Sequence, residues 1–377
     1  RRKIWYGSGI VVLVATWIMI FPKYFVVFIV CRVLIGIGSG FRNSTSFPLL
    51  TEFTSDKYRS WMGIGSFLFW SVGSSIIPLI GYLVPAWRMF LLVTAAAAVP
   101  VLINWWFVPE SPRWLLLNGK DEEAKTILAN VAKINKRTLP DNLLLQKPLM
   151  AETRGSYRQL FSSWSVAKKT LISWNLWFAN SLVYFGVSYG AVDLGGNIYL
   201  DVFLISVVEI PSDFAVIWSL NRFGRKKSVI IPMVIAFIAS AISVSIPTSE
   251  SSVSVGVRVA SAIIAKFFVN FSFSGVYLWC VELFPTTVRS TALGSSSAAA
   301  RIGSFSASYI IWLIRIHAFL PYGIMGGISL QAAMLAVFLP ETKGTPTLET
   351  MADMKKDEND ALLVNGGEND VISENDA

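Results

Sequence analysis

Val281-Glu282-Leu283-Phe284-Pro285-Thr286-Thr287-Val288-Arg289 breaks into a chain otherwise dominated by long apolar runs. Proline lacks the backbone N–H a helix needs and ends one at this point. Glu282 then stands at a helix exit and Arg289 at the start of the next helix. An acid, a helix stop and a base spaced this way read as a joint at a membrane surface. Working outward, uncharged or nearly uncharged runs of spanning length recur near 4–21, 24–51, 61–84, 88–108, 170–192, 199–220, 228–247, 259–281, 290–314 and 318–339. A helix crossing a bilayer needs about 20 such residues. The expectation is an all-α membrane protein with ten crossings present.

Composition agrees with that reading. Hydrophobic residues make up 54% of the chain and charged residues 15%, with a mean hydropathy of +0.56. These values exclude an ordinary soluble domain. The net charge of +8 is a statement about topology, not about nucleic acid. With Arg1-Arg2-Lys3 taken as cytoplasmic, most of the 32 Lys and Arg residues fall inside. Only Lys23, Arg88, Arg258 and Arg315 fall outside, while Arg32, Arg42, Lys266 and Arg301 sit within spans. The opposite orientation violates the positive-inside rule. Cys31 and Cys280 both lie in expected helices and imply no disulfide framework.

Residues 109–169 interrupt the hydrophobic map with polar, basic sequence. They hold a helical stretch from Asp121 to Lys136, acidic at its start and basic at its end, as the helix dipole favours. The expected organisation is an N-terminal half with four spans over 1–108, a cytoplasmic connector over 109–169, a six-span C-terminal half over 170–340, and an acidic tail over 341–377. Residues 349–377 are expected to be disordered, and Glu358 to Leu363 fits an acidic dileucine pattern weakly.

Three further segments carry a resemblance: Pro109-Glu110-Ser111-Pro112-Arg113-Trp114, Leu339-Pro340-Glu341-Thr342-Lys343-Gly344, and Trp177-Phe178-Ala179-Asn180-Ser181-Leu182-Val183-Tyr184-Phe185-Gly186. With the Val281–Arg289 segment and Val208-Glu209-Ile210-Pro211, the chain resembles the organic cation, anion and carnitine transporters of the major facilitator superfamily. Sugar transporters of that superfamily share the first two themes and usually lack the last. Asn221-Arg222-Phe223-Gly224-Arg225-Lys226-Lys227 resembles the basic loop each half of the fold carries, here without its carboxylate. Arg1-Arg2-Lys3 looks like the tail of the other copy. The resemblance therefore implies twelve helices in two bundles, with the first two missing from this chain.

Ionisable groups inside spans carry the functional argument, since a charge at midplane costs about 3 kcal/mol even on insertion scales. Arg301 follows a run of small residues, Ser295 to Ala300, that leaves room for a cavity or for close helix packing. In family terms an Arg there tilts the substrate toward a carboxylate; the alternative is a structural ion pair. Glu209 and Asp213 stack four apart on one helix, and Asp213 departs from the family pattern. Either they face the cavity or Asp213 neutralises Arg301 or Lys266. Lys266 either snorkels to the outer surface or reaches the cavity. Tyr184 matches an aromatic that lines the family's substrate path, where cation–π contact suits organic cations. Trp177 and Trp70 fall at aromatic positions, where packing is the favoured reading over substrate contact.

A third group sits at helix exits: Glu52 with Arg59, Glu110 with Arg113, and Glu282 with Arg289. Joined by Arg222, Arg225 and Glu341, they read as salt bridges that gate the cytoplasmic side, the alternative being solvated helix ends. Gly36-Ile37-Gly38-Ser39-Gly40 lies within an apolar helix and reads as helix packing, not a phosphate loop. Asn43-Ser44-Thr45 and Asn270-Phe271-Ser272 fit the glycosylation pattern but are buried in spans. His317 is the sole histidine, so no metal cluster, cofactor or catalytic site is implied. The sequence thus points to a multi-pass, plasma-membrane transporter of a small organic ion and leaves coupling to a second ion open. A sugar transporter of the same fold and a non-transporting scaffold or sensor are the alternatives.

Overall fold

The computed structural model describes residues 2–22, 24–53, 56–100, 108–117, 119–137, 156–190, 197–245, 252–317 and 319–344. The acidic tail beyond 344 and its dileucine pattern lie outside the described residues, as do the side chains of Glu52, Arg59 and Arg113. The chain divides into two compact units, Arg1–Ala151 and Glu152–Ala377.

The first unit contains α1 (Arg2–Ile18), α2 (Phe25–Glu52), α3 (Asp56–Leu83) and α4 (Trp87–Ala98), followed by α5 (Pro112–Leu117) and α6 (Asp121–Ile134). Helix α1 lies along α2. Gly38 makes their approach close, because a Cβ there would sit 3.0 Å from the Ser8 carbonyl oxygen and 2.7 Å from Val12. Gly36 and Gly40 face open space, so one glycine of the three serves the packing. Large apolar side chains such as Phe25, Val26, Val33, Phe69 and Ile77 remain exposed along these helices. A surface of this kind is stable against lipid and aggregates in water. The polar helix α6 opens on Asp121, Glu122 and Glu123 and carries Lys133 in its last turn, as its charge pattern predicts.

The second unit holds α7 (Trp164–Gly190), α8 (Ile198–Val207), α9 (Glu209–Phe223), α10 (Arg225–Ser245), α11 (Ser252–Leu283), α12 (Thr286–Trp312) and α13 (Phe319–Ala336). Within the described residues the expected spans fall on helices, the sixth on the pair α8 and α9, while 101–107 of the fourth lies outside them. Pro211 explains that break. Without an N–H it cannot bond back to the preceding turn, but it is tolerated in the first turn of a helix that restarts at Glu209. By length and hydropathy alone, Phe25–Arg42, Val253–Leu283 and Phe319–Ala336 are long and apolar enough to cross a membrane. Phe67–Leu83 and Trp87–Ala98 are shorter apolar stretches.

Small residues let α12 close on α7. Gly303 stands against the Phe178 carbonyl, with no room for a Cβ. Ser296 Oγ lies 3.3 Å from Ser173 Oγ, and Trp174 Nε1 donates to Ser295 Oγ at 2.9 Å. The run before Arg301 therefore serves close packing. The short turn Tyr157–Phe161 joins this unit too: Leu160 is buried in its core, and Thr170 Oγ1 donates to the Leu160 carbonyl at 3.2 Å.

Candidate functional site

Three helices of the second unit each turn an i, i+4 pair toward one point: Tyr184 and Ser188 from α7, Glu209 and Asp213 from α9, and Lys266 and Asn270 from α11. Residues four apart share a helix face, so each helix presents two polar groups together. Glu209 and Lys266 form an ion pair at 3.0 Å, with both side chains 2% exposed. Tyr184 Oη donates to the same carboxylate oxygen, Oε1, at 2.7 Å. The ammonium uses its other donors on Ser188 Oγ at 2.6 Å and the Tyr184 carbonyl at 3.4 Å. It also sits 3.0 Å from the centroid of the Tyr184 ring. All three ammonium protons therefore have acceptors.

Asp213 joins this cluster through Asn270, whose Nδ2 donates to Asp213 Oδ1 at 2.9 Å and faces the Glu209 carbonyl at 3.5 Å. The ion pair to Lys266 is thus made by Glu209, and Asp213 takes an amide instead. Lys266 does not snorkel. Helix α11 starts at Ser252, seven residues earlier than the apolar run suggests, which sinks Lys266 some 20 Å along the helix. The second oxygen of Glu209 is buried and has no hydrogen-bond partner among the described residues. It is an acceptor held ready for one more donor.

Trp177 is buried below this cluster in an aromatic row. Its ring lies 5.2 Å from Tyr277 and 5.7 Å from Phe273, and Phe273 in turn is 6.2 Å from Tyr184. Trp70 is exposed. Arg301 lies on α12 with its side chain exposed, and no ion pair joins it to Asp213 among the described residues.

A second charged cluster lies at the helix ends of the same unit. Arg225 grips Glu282 bidentately, Nε to Oε2 at 2.8 Å and Nη2 to Oε1 at 2.7 Å. Thr342 Oγ1 adds a bond to Glu282 Oε2 at 2.6 Å. Glu341 caps α10 from the far end of the unit. Its carboxylate accepts the backbone N–H of Arg225 at 2.8 Å and of Lys226 at 3.0 Å, then those of Thr342 and Lys343, both at 3.0 Å. Burial pushes the Glu341 carboxyl up, but these four donors outweigh it and hold it below its ordinary value. Gly224 makes room with a φ of +88°, and a Cβ there would stand 2.6 Å from Glu341 Oε2.

The first unit repeats the device. Glu110 accepts the backbone N–H of Arg2 at 3.1 and 3.2 Å and that of Ser111 at 3.1 Å, capping α1. Burial raises its carboxyl, and the Arg2 and Ser111 donors act against that. Arg289 Nε donates to the Phe284 carbonyl at 3.3 Å, closing the end of α11. Lys343 Nζ donates to the Arg222 carbonyl at 3.1 Å, and Arg222 itself is exposed. Ser188, Asn270 and Thr342 were not among the candidates. Their signal is the i+4 spacing from Tyr184 and Lys266, and adjacency to Glu341.

The described residues thus form a helical fold with an ion pair sunk among apolar helices and acid-capped helix ends. The chain belongs to the sugar (and other) transporter family, whose model matches residues 1–354. It is 34% identical over 357 residues to solute carrier family 22 member 16 of Bos taurus, covering 92% of this chain and 61% of that protein. It is 32% identical over 348 residues to organic cation/carnitine transporter 2 of Homo sapiens, covering 90% and 61% respectively. The chain thus spans about three-fifths of the length of these relatives. In fold it is similar to the proton:xylose symporter of the major facilitator superfamily bound to 6-bromo-6-deoxy-D-glucose. That match has a TM-score of 0.67 at 19% identity and covers 92% of this chain and 82% of that one.

Proposed function

We propose that the protein moves a small organic ion across the plasma membrane by alternating access, with the Tyr184–Glu209–Lys266 cluster at its binding site. One observation carries this reading: an ion pair 2% exposed is held beside an unfilled carboxylate acceptor and an aromatic row. Such groups are costly inside a membrane and persist where a substrate path uses them. Relatives named for organic cations and carnitine support the substrate class. Glu209 and Asp213 recognise a cationic group, Tyr184 and Trp177 supply aromatic faces, and Arg301 and Lys266 supply positive charge for a carboxylate. A coupling ion accompanies the substrate.

In this reading the two halves are 1–108 and 170–340, joined by a cytoplasmic connector. Glu52, Arg59, Glu110, Arg113, Arg222, Arg225, Glu282, Arg289 and Glu341 gate the cytoplasmic side, and breaking their contacts accompanies the change of access. Uptake of radiolabelled carnitine, tetraethylammonium and a hexose by cells expressing the protein tests the proposal. Uptake of either organic ion, with carnitine uptake weakened by Arg301→Ala, supports it. Hexose uptake unaffected by organic ions sinks it in favour of a sugar carrier.

A further inference from the structure

Lys266 already sits where a substrate cation belongs. Its ammonium lies 3.0 Å from the centroid of the Tyr184 ring and 3.0 Å from Glu209 Oε1. An aromatic face and a carboxylate are the two groups that hold an organic cation. The lysine is thus a tethered occupant of the site, and a cation that arrives must displace it. Every group that holds it belongs to the second unit.

The ammonium has three protons for three acceptors, one charged and two neutral. Glu209 is the charged one. Ser188 Oγ at 2.6 Å and the Tyr184 carbonyl at 3.4 Å are the neutral two. Ser188 Oγ donates its own proton to that carbonyl at 2.8 Å, so toward Lys266 it can only accept. Once a cation takes Glu209, an ammonium beside it is a buried charge stripped of its counter-charge, which is the costly state. A neutral amine avoids that cost, because its two remaining N–H groups match the two neutral acceptors. Losing Glu209 and losing one proton go together.

We propose that Lys266 exchanges a proton for an organic cation. Substrate binding at Glu209 drives one proton from the ammonium to solvent, and substrate release on the other side of the membrane lets the amine take one back. One positive charge enters the site as another leaves, so the coupling ion is a proton moving opposite to the substrate. This rests on the binding site proposed above and adds the ion and its carrier. A zwitterion behaves differently: its carboxylate gives the displaced ammonium a new counter-charge, and the proton stays. Among the described residues on helices packed against α11, the other buried acids are Asp213 on α9 and Asp201 on α8, 2% and 4% exposed. Helix α7 brings Tyr184, α12 brings the exposed Arg301, and α10 carries no ionisable side chain past Lys227. A proton held by either aspartate is the rival source.

Mixing tetraethylammonium with the detergent-purified protein in weakly buffered solution, beside a pH-indicating dye, tests this. A quaternary ammonium has no proton of its own to give. Release of about one proton per bound cation is expected, with an affinity that rises about tenfold per pH unit while the free protein holds that proton. Carnitine is expected to bind with no release. Lys266→Arg keeps the charge and its partner but does not give up its proton, so it should bind weakly, release nothing and show a flat pH profile. Asp201→Asn and Asp213→Asn should keep the release per bound cation, which guards against misfolding of the arginine variant. Tetraethylammonium binding to the wild type without proton release overturns the proposal and leaves the transport reading, judged by uptake, standing. Equal release by carnitine overturns it as well. Release that survives Lys266→Arg, or is lost in either asparagine variant, assigns the proton to an acid and does the same. If neither ion binds, the transport reading fails and this proposal with it.

Discussion

Lys266–Glu209 and Arg225–Glu282 are the same chemistry in two settings of one unit. The first pair is 2% exposed on both sides and shares a single carboxylate oxygen with a tyrosine. The second is 18% exposed on both sides and bidentate. Water can replace a lost partner in the second and not in the first. The buried pair is therefore brittle, and under the proposed function it is the pair whose members exchange with a charged substrate. The helix-end pair is more forgiving, because its broken state is hydrated.

The sharpest way to break this comparison is to delete one member of each pair. Lys266→Met leaves Glu209 buried beside a tyrosine with no cation, at a cost of about 3–5 kcal/mol. The double variant Lys266→Met, Glu209→Gln is expected to recover most of that loss, since its polar remnants carry no charge. Thermal unfolding in detergent reads both. If the single variant unfolds no earlier than the double, the pair is not the isolated buried ion pair described here.

Gly224→Ala comes next. Its φ of +88° disfavours any side chain, and the added methyl meets the Glu341 carboxylate. A cost of about 1–3 kcal/mol is expected, mostly as loss of the α10 cap. Should Gly224→Ala unfold at the wild-type temperature, the carboxylate has room to withdraw and the cap is loose.

Much of the fold was legible because spanning helices must be long and apolar, and where they are described the expected stretches fall on helices. The polar cluster was half legible. Tyr184, Glu209, Asp213 and Lys266 stood out as costly groups in apolar helices, whereas Ser188 and Asn270 did not, being small and ordinary in isolation. Their meaning appears only when the i+4 spacing repeats on three helices. The sequence also hid that Lys266 turns inward, because the apolar run is read from 259, past Arg258, whereas the helix starts at Ser252. Glu341 looked like a partner for arginine side chains. It binds backbone N–H groups instead, those of Arg225 and Lys226 lying more than a hundred positions away, and no local pattern encodes that.

Acid titration of Glu341 sharpens the comparison from the other side. Its folded-state carboxyl lies below the ordinary 4.5, so it stabilises the fold above that value and the contribution is lost as pH falls through the folded value. Glu341→Gln is expected to remove about 1 kcal/mol at neutral pH, on the scale of a helix cap and reduced by its solvent exposure. Stability of the variant should then vary less between pH 5 and 3 than that of the wild type. Parallel acid profiles for the two proteins would mean that the four backbone donors do not favour the ionised form.

The smallest effect on stability is expected where the effect on function is largest. Arg301 is exposed on α12 and none of the ion pairs described includes it, so Arg301→Gln should shift unfolding by no more than about 0.5 kcal/mol. Exposure in a membrane helix is itself informative, because an arginine facing lipid tails is expensive and removing it would raise stability clearly. An unchanged melting temperature with a weakened preference for carboxylated substrates places Arg301 in a hydrated passage. A markedly higher melting temperature with unchanged uptake would move it out of the substrate path and leave the Lys266 cluster to recognise charge alone.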